Sequence, residues 1–260
     1  MDFVILIIAT IFAGFVGAIL GLGGGIVMVP VLTIIFDFPF KSAVGTSLTA
    51  IVLTSAGASS IYLKRGEVSL PAAYRLELFT VIGASIGGFS AIYIPQKALA
   101  ISFAVILILT AYQMSAKVIR AKLAGRKGAD ERGGWNFYDA TPGNRITAYI
   151  TSVFAGLVSA LLGVGGGIVK VPILNLLLKA PIRMAVASSG LMIGITASAG
   201  AIHYLNNGLV KPVTALIVAA SVFIGARSGA LIAKRIKTDY IKLAFSAVII
   251  YTAIRIFLKY

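Results

Sequence analysis

Two short stretches hold the residues best suited to chemistry. GLGGGIVMVP runs from Gly21 to Pro30, and GVGGGIVKVP runs from Gly163 to Pro172. Each puts four glycines in five positions inside an apolar segment and closes on a proline. Glycine is costly in a helix interior and tolerates positive φ, so Gly21, Gly23, Gly24 and Gly25, and likewise Gly163, Gly165, Gly166 and Gly167, predict unwound backbone. Pro30 and Pro172 bias the residue before them toward an extended shape and suit the first turn of a new helix. Unwound chain beside a helix start offers free N–H groups with the dipole behind them, an arrangement that binds oxyanions. The competing reading is that the glycines only let helices approach closely. Four in five is denser than packing requires.

The second stretch carries Lys170 where the first has Met28. A lysine at mid-bilayer costs roughly 2.5–3.5 kcal/mol on insertion scales, which a bound anion would offset. Its alternative is an interfacial lysine that snorkels to water. Hydroxyls follow each break: Thr46 and Ser47 in GTSLT, Ser188 and Ser189 in ASSGL. They can donate to sulfur- or phosphorus-bound oxygens without adding charge, or serve as caps and interhelical links. Arg227 lies inside an apolar span, to meet the anion or to sit near a membrane face. Glu77 is a weaker proton acceptor candidate; a local arrangement with Arg75 at the interface is the simpler expectation. His203, near the Asn206-Asn207-Gly208 turn, reads as an interfacial residue. Trp135 reads as local structure in the linker, and Asn175 has no assigned direction. Gly83/Gly87 and Gly225/Gly229 are GxxxG pairs, expected to pack helices.

These groups need elements to hold them. The chain of 260 residues is 59% hydrophobic with a mean hydropathy of +1.00, against about 45–50% apolar for soluble domains. Apolar runs of about 20 residues recur throughout, so the fold class is all-α and the protein a multi-pass membrane protein. The alternating segments of a β-barrel are missing. With no cysteine, disulfides and thiolate metal sites are excluded, and one histidine with eight carboxylates offers little for a metal. No cofactor and no metal is expected. The first apolar run lacks a basic lead and reads as a span, not a cleaved signal. A net charge of +15 fits loop bias, anionic lipid contact and an anionic cargo; with no soluble basic domain, nucleic acid is not expected as a partner.

The sequence aligns with itself at a shift of 142 residues, with 13 of 23 positions identical between Gly14–Phe36 and Gly156–Leu178. The organisation is a first membrane repeat (1–119), a cytoplasmic linker (120–146) and a second membrane repeat (147–260). Each repeat has four apolar segments. The first, about 34 residues, would be ~50 Å long as one helix, too long for a ~30 Å core and too short for two spans. A descending helix, a glycine break and a short re-entrant piece fits best. Charge favours this. Re-entrant segments put 16 Lys/Arg on one side and five (Lys41, Lys97, Lys211, Arg255, Lys259) on the other, whereas single crossings split them 8 to 13. The positive-inside rule prefers the steeper split, which makes the repeats inverted, the linker cytoplasmic and both termini external. Secondary transporters commonly have such repeats, with the substrate at their interface.

GFVGAILGLGGGIVMVP and GLVSALLGVGGGIVKVP, each followed by a proline-containing loop and a Ser/Thr-bearing helix, resemble the TauE/SafE family of sulfite and organosulfonate exporters. The resemblance spans nearly the whole chain outside the linker. It implies export of sulfite or related small anions across the cytoplasmic membrane. It carries over onto the glycine motifs with Pro30 and Pro172, and onto Thr46, Ser47, Ser188 and Ser189, but not onto Lys170 or Arg227. Related thiosulfate-uptake proteins depend on cysteine, which is absent here.

The expected function is therefore a secondary transporter, not an enzyme, that exports a small sulfur-containing anion. The site comprises Gly23, Gly24, Gly25, Thr46, Ser47, Gly165, Gly166, Gly167, Lys170, Ser188, Ser189 and Arg227. One repeat-derived bundle would move against the other. An inside-negative potential favours anion exit by ~2.3 kcal/mol per charge per 100 mV, so no coupling ion is required in principle, with proton coupling through Glu77 or His203 as the alternative. Alternatives are a passive anion channel and a non-transporting membrane biogenesis factor. Lipid and the anion are the expected partners, with a homodimer left open.

Overall fold

The computed structural model describes residues 3–123, 135–234 and 238–260. Helices account for nearly all of them: α1 (Phe3–Leu20), α2 (Gly25–Pro30), α3 (Phe40–Lys64), α4 (Leu70–Tyr93), α5 (Gln96–Leu123), α6 (Pro142–Leu162), α7 (Gly167–Pro172), α8 (Ile182–Asn206), α9 (Pro212–Ile232) and α10 (Thr238–Lys259). Among the described residues, seven helices are long and apolar enough to span a membrane. α5 continues to Leu123, and α6 opens at Pro142, a residue suited to a first turn. Of the linker's cations, Arg126, Lys127 and Arg132 lie outside the described residues.

Both opening segments break where the glycines stand. After each break come α2 and α7, which widen past Pro30 and Pro172 into turns closed by Phe36 N–H to Val31 C=O and Leu178 N–H to Ile173 C=O. Proline has no N–H to donate and so disturbs the regular ladder. The apolar pieces Gly25–Ile35 and Gly167–Leu177 are each about 16 Å long, roughly half a bilayer core. The 142-residue shift persists in the backbone. Among the described residues every positive-φ position has its counterpart: Gly21/Gly163, Gly23/Gly165, Gly24/Gly166, Asp37/Lys179 and Gly66/Gly208.

The two halves interleave. α4 packs along α6 and α8, whereas α9 packs along α1 and α3. The GxxxG pairs make these contacts close. Gly83 and Gly87 lie against the backbone of Val153 and Leu157, and Gly225 and Gly229 against that of Ile11 and Phe15. A side chain at any of them would strike a main-chain carbonyl. The matching order of these contacts makes α4 parallel to α6 and α1 parallel to α9. By contrast α3 and α8 cross antiparallel: Gly45 meets Tyr204, Ser55 meets Gly194, and Gly190 meets Tyr62. α5 pairs with α10, and Gln96 near one end reaches Tyr260 at the other. The expectation of two bundles that each follow one repeat is thus corrected. The packed groups are α1–α3–α9 and α4–α6–α8, because the glycine faces of α4 and α9 complement the first helix of the opposite half.

Charged residues collect at the two ends of the bundle. Lys41 donates to Ile92 C=O (2.6 Å), Lys211 lies over the Phe38 ring (4.4 Å), and Lys259 bridges to Asp37 (2.6 Å). At the opposite end Arg65 donates to Ala230 C=O and Leu231 C=O, Lys234 pairs with Glu67 (2.9 Å), and Arg75 stacks over Tyr138 (4.5 Å).

Candidate functional site

The two breaks meet at the centre of the bundle. At the first, Leu22 N–H turns back to Gly17 C=O (2.9 Å); at the second, Gly163 N–H turns back to Ser159 C=O (2.9 Å). Gly23 and Gly24 hold φ of 75° and 77°, a region that side chains other than glycine's rarely enter. Hydrogen bonding resumes with Val27 and Met28 donating to Gly24 C=O, and with Val169 and Lys170 donating to Gly166 C=O. The amides of Gly25, Ile26, Gly167 and Ile168 precede those bonds, in the turn that a helix leaves without internal acceptors.

The contact between breaks is reciprocal. A methyl group on Gly25 would run into Gly163 C=O, and one on Gly167 into Gly21 C=O. Two of the four predicted hydroxyls tie the breaks to the crossing helices: Ser47 donates to Gly163 C=O (2.8 Å) and Ser189 to Gly21 C=O (3.1 Å). Tyr62 and Tyr204 repeat the pattern on Ala18 C=O (3.0 Å) and Ala160 C=O (2.9 Å). The other two hydroxyls differ. Ser188 accepts from Ser69 N–H (2.9 Å), while Thr46 is fully buried with its hydroxyl unpartnered. Ile51 and Ile193 lie against Gly23 and Gly165, closing the junction with apolar side chains.

Lys170 is 1% exposed and neither snorkels nor faces an empty space. Its ammonium sits 3.0 Å from Glu77 Oε2 and donates to the Thr196 hydroxyl, which in turn donates to Glu77 Oε1. Thr80 lies 3.3 Å from Thr196. The expected Arg75–Glu77 arrangement at the interface is corrected: two residues apart, they lie about 200° apart around α4, so Arg75 points out to Phe137 and Tyr138 and Glu77 into the core, 4% exposed. Glu77 and Thr196 were outside the predicted site set. Their signal was available, since Glu77 is an acid in an apolar segment whose counterpart is Ala219. Arg227 is exposed on α9, level with Gly57, and lies apart from the breaks. His203 is half-buried at the edge of Phe89 (6.2 Å), Asn175 bonds to Ala180 C=O (2.9 Å), and Trp135 bonds to Leu178 C=O (2.9 Å).

A multi-span helical bundle with two broken helices meeting in its core, and a buried ion pair beside them, defines a membrane transporter of the discontinuous-helix class. The chain belongs to the family described as Sulfite exporter TauE/SafE, which it matches over residues 6–256. It is 29% identical to "Probable membrane transporter protein YunE" of Bacillus subtilis, covering 96% of this chain and 95% of the relative. It is 28% identical to a probable membrane transporter protein of Methanocaldococcus jannaschii (94% and 91%) and 25% identical to one of Haemophilus influenzae (95% and 95%). No solved structure matches.

Proposed function

We propose that this transporter exports a small sulfur-containing anion, sulfite or an organosulfonate, held where the two glycine breaks meet. The observation that carries the reading is the reciprocal contact of Gly25 with Gly163 and of Gly167 with Gly21, beside a buried lysine. Irregular backbone at membrane depth is tolerated only where protein packs it or a wet cavity lines it. First-turn amides from α2 and α7 and the Lys170 ammonium supply donors for oxygen atoms, with neither a metal nor a cofactor required. The family description names sulfite, and no cysteine is present for relay chemistry on sulfur.

The halves are read as inverted repeats with re-entrant first segments. The antiparallel crossing of the equivalent helices α3 and α8 supports this, as does the half-bilayer length of Gly25–Ile35. So does the distribution of charge: Lys41, Lys97, Lys211, Arg255 and Lys259 at one end, against Lys64, Arg65, Arg75, Arg145, Lys179, Arg183 and Lys234 at the other. The second end is the cytoplasmic one by the positive-inside rule. Alternating access then moves α1–α3–α9 against α4–α6–α8 across the break junction. Closure of that junction by Ile51 and Ile193 favours a gated carrier over an open pore.

The test is release of sulfite from preloaded proteoliposomes. Reconstituted protein is expected to release sulfite faster than protein-free vesicles, with inhibition by an external organosulfonate. Release no faster than from protein-free vesicles removes the sulfur-anion assignment.

A further inference from the structure

The repeat makes one part of the core conspicuous by its asymmetry. Most of the inner structure is duplicated: the breaks, the hydroxyls on their carbonyls and the tyrosines on α3 and α8. The cluster around Lys170 is not. By the 142-residue shift Lys170 corresponds to Met28, Glu77 to Ala219, Thr80 to Val222 and Ser159 to Gly17; only Thr196 keeps a hydroxyl counterpart, Thr54. A charged pair that served packing alone could be replaced by well-packed apolar residues at little or no cost. The equivalent positions, Met28 and Ala219, are both apolar.

The hydrogen bonding leaves one Lys170 donor unassigned. Lysine carries three donors. Glu77 and Thr196 take two of those on Lys170. Ser159 is fully buried with an unpartnered hydroxyl. It converges with Lys170 on Gly166: its Cβ and Lys170 Cε lie 3.3 and 3.5 Å from the point where a Gly166 side chain would begin. The Glu77 carboxylate therefore occupies the place on Lys170 that an oxyanion would take, with an orphaned hydroxyl and the second break alongside.

Charge sets the cost of admitting an anion. Empty, the Lys170–Glu77 pair is neutral. An anion added to it leaves one net negative charge in a low-dielectric core, a state that burial strongly disfavours. A proton on Glu77 restores neutrality and frees Lys170 for the incoming anion. The other groups around Glu77 do not supply that charge. From α8 it faces the neutral Thr196; α6 presents Tyr149, stacked on Phe79 at 4.6 Å; on α4 itself Arg75 points away to Phe137 and Tyr138. Among the described residues Lys170, from α7, is the charged group in contact with Glu77.

We propose that Glu77 is a proton-binding site that couples each transported anion to one proton. Rested on the function proposed above, this makes the loaded cluster as neutral as the empty one. For a monoanion, net flux then follows the combined anion and proton gradients and not the membrane potential, and export proceeds where the anion gradient is the larger. Of the two routes the sequence leaves open, potential-driven exit and proton coupling, this proposal takes the second.

The probe is methanesulfonate, which unlike sulfite carries no proton of its own at neutral pH. Binding to the purified full chain is measured by calorimetry in two buffers of different ionisation enthalpy. The expected result is uptake of about one proton per anion bound, read as a binding heat that changes with the ionisation enthalpy of the buffer. Glu77→Gln is expected to take up no proton per anion bound, whatever its affinity, and a melting profile shows whether that variant is folded. In vesicles loaded with methanesulfonate and a pH dye, efflux through the unaltered protein should raise the internal pH. Binding and flux without proton uptake overturn the coupling and leave the anion-transport reading standing. If methanesulfonate and sulfite neither bind nor move, both readings fall together.

Discussion

Lys170 and Glu77 are 93 residues apart in the chain, yet form a buried pair with Thr196 between them. Removing either partner strands the other in the core, which costs about 3–5 kcal/mol in comparable sites. Lys170→Met alone is therefore expected to lower the unfolding midpoint in detergent clearly. Lys170→Met combined with Glu77→Ala, which copies Met28 and Ala219 of the other half, should recover most of the loss. A single variant as stable as the unaltered chain would contradict the pairing. At this scale the sequence was only partly legible. The spacing of the glycines announced the breaks, and Lys170 was visible as a cation where none belongs. Its partner was not, because nothing local links α4 to α7; a position-by-position comparison of the two halves would have flagged Ala219 opposite Glu77. Ser47 and Ser189 were legible as a repeated pair. That their hydroxyls serve break carbonyls depends on the α3–α8 crossing, which no short stretch encodes.

The helices themselves were largely legible, since hydropathy and glycine–proline punctuation place their ends within a few residues. Their directions were not, because an apolar stripe is the same read either way; only loop charge spoke to orientation. The antiparallel α3 and α8 put the equivalent residues Lys41 and Arg183, each at the start of its helix, at opposite ends of the bundle. The chain has no cysteine, so single substitutions give clean labels. In spheroplasts, Lys41→Cys is expected to react with a membrane-impermeant maleimide, and Arg183→Cys only after permeabilisation. Labelling of both from the same side would contradict the inversion.

Over the whole molecule, the interleaving of halves changes what can move. The repeats are units of sequence, but α4 and α9 have crossed over, so the packed groups each hold helices from both. This was hidden in the sequence: GxxxG announces a close contact without naming the partner. The breaks lie where the two groups meet, and the Lys170–Glu77 pair lies inside one of them, as an asymmetric element in a nearly symmetric frame. The central claim is that a small oxyanion binds at this junction. Its most direct test is an experimental structure of the full protein with selenite, whose selenium stands in for the sulfur of sulfite and scatters anomalously. The account predicts an anomalous peak between the two glycine breaks, within hydrogen-bonding reach of the Lys170 ammonium. Peaks confined to surface lysines, or none at all with selenite at saturating concentration, would contradict it.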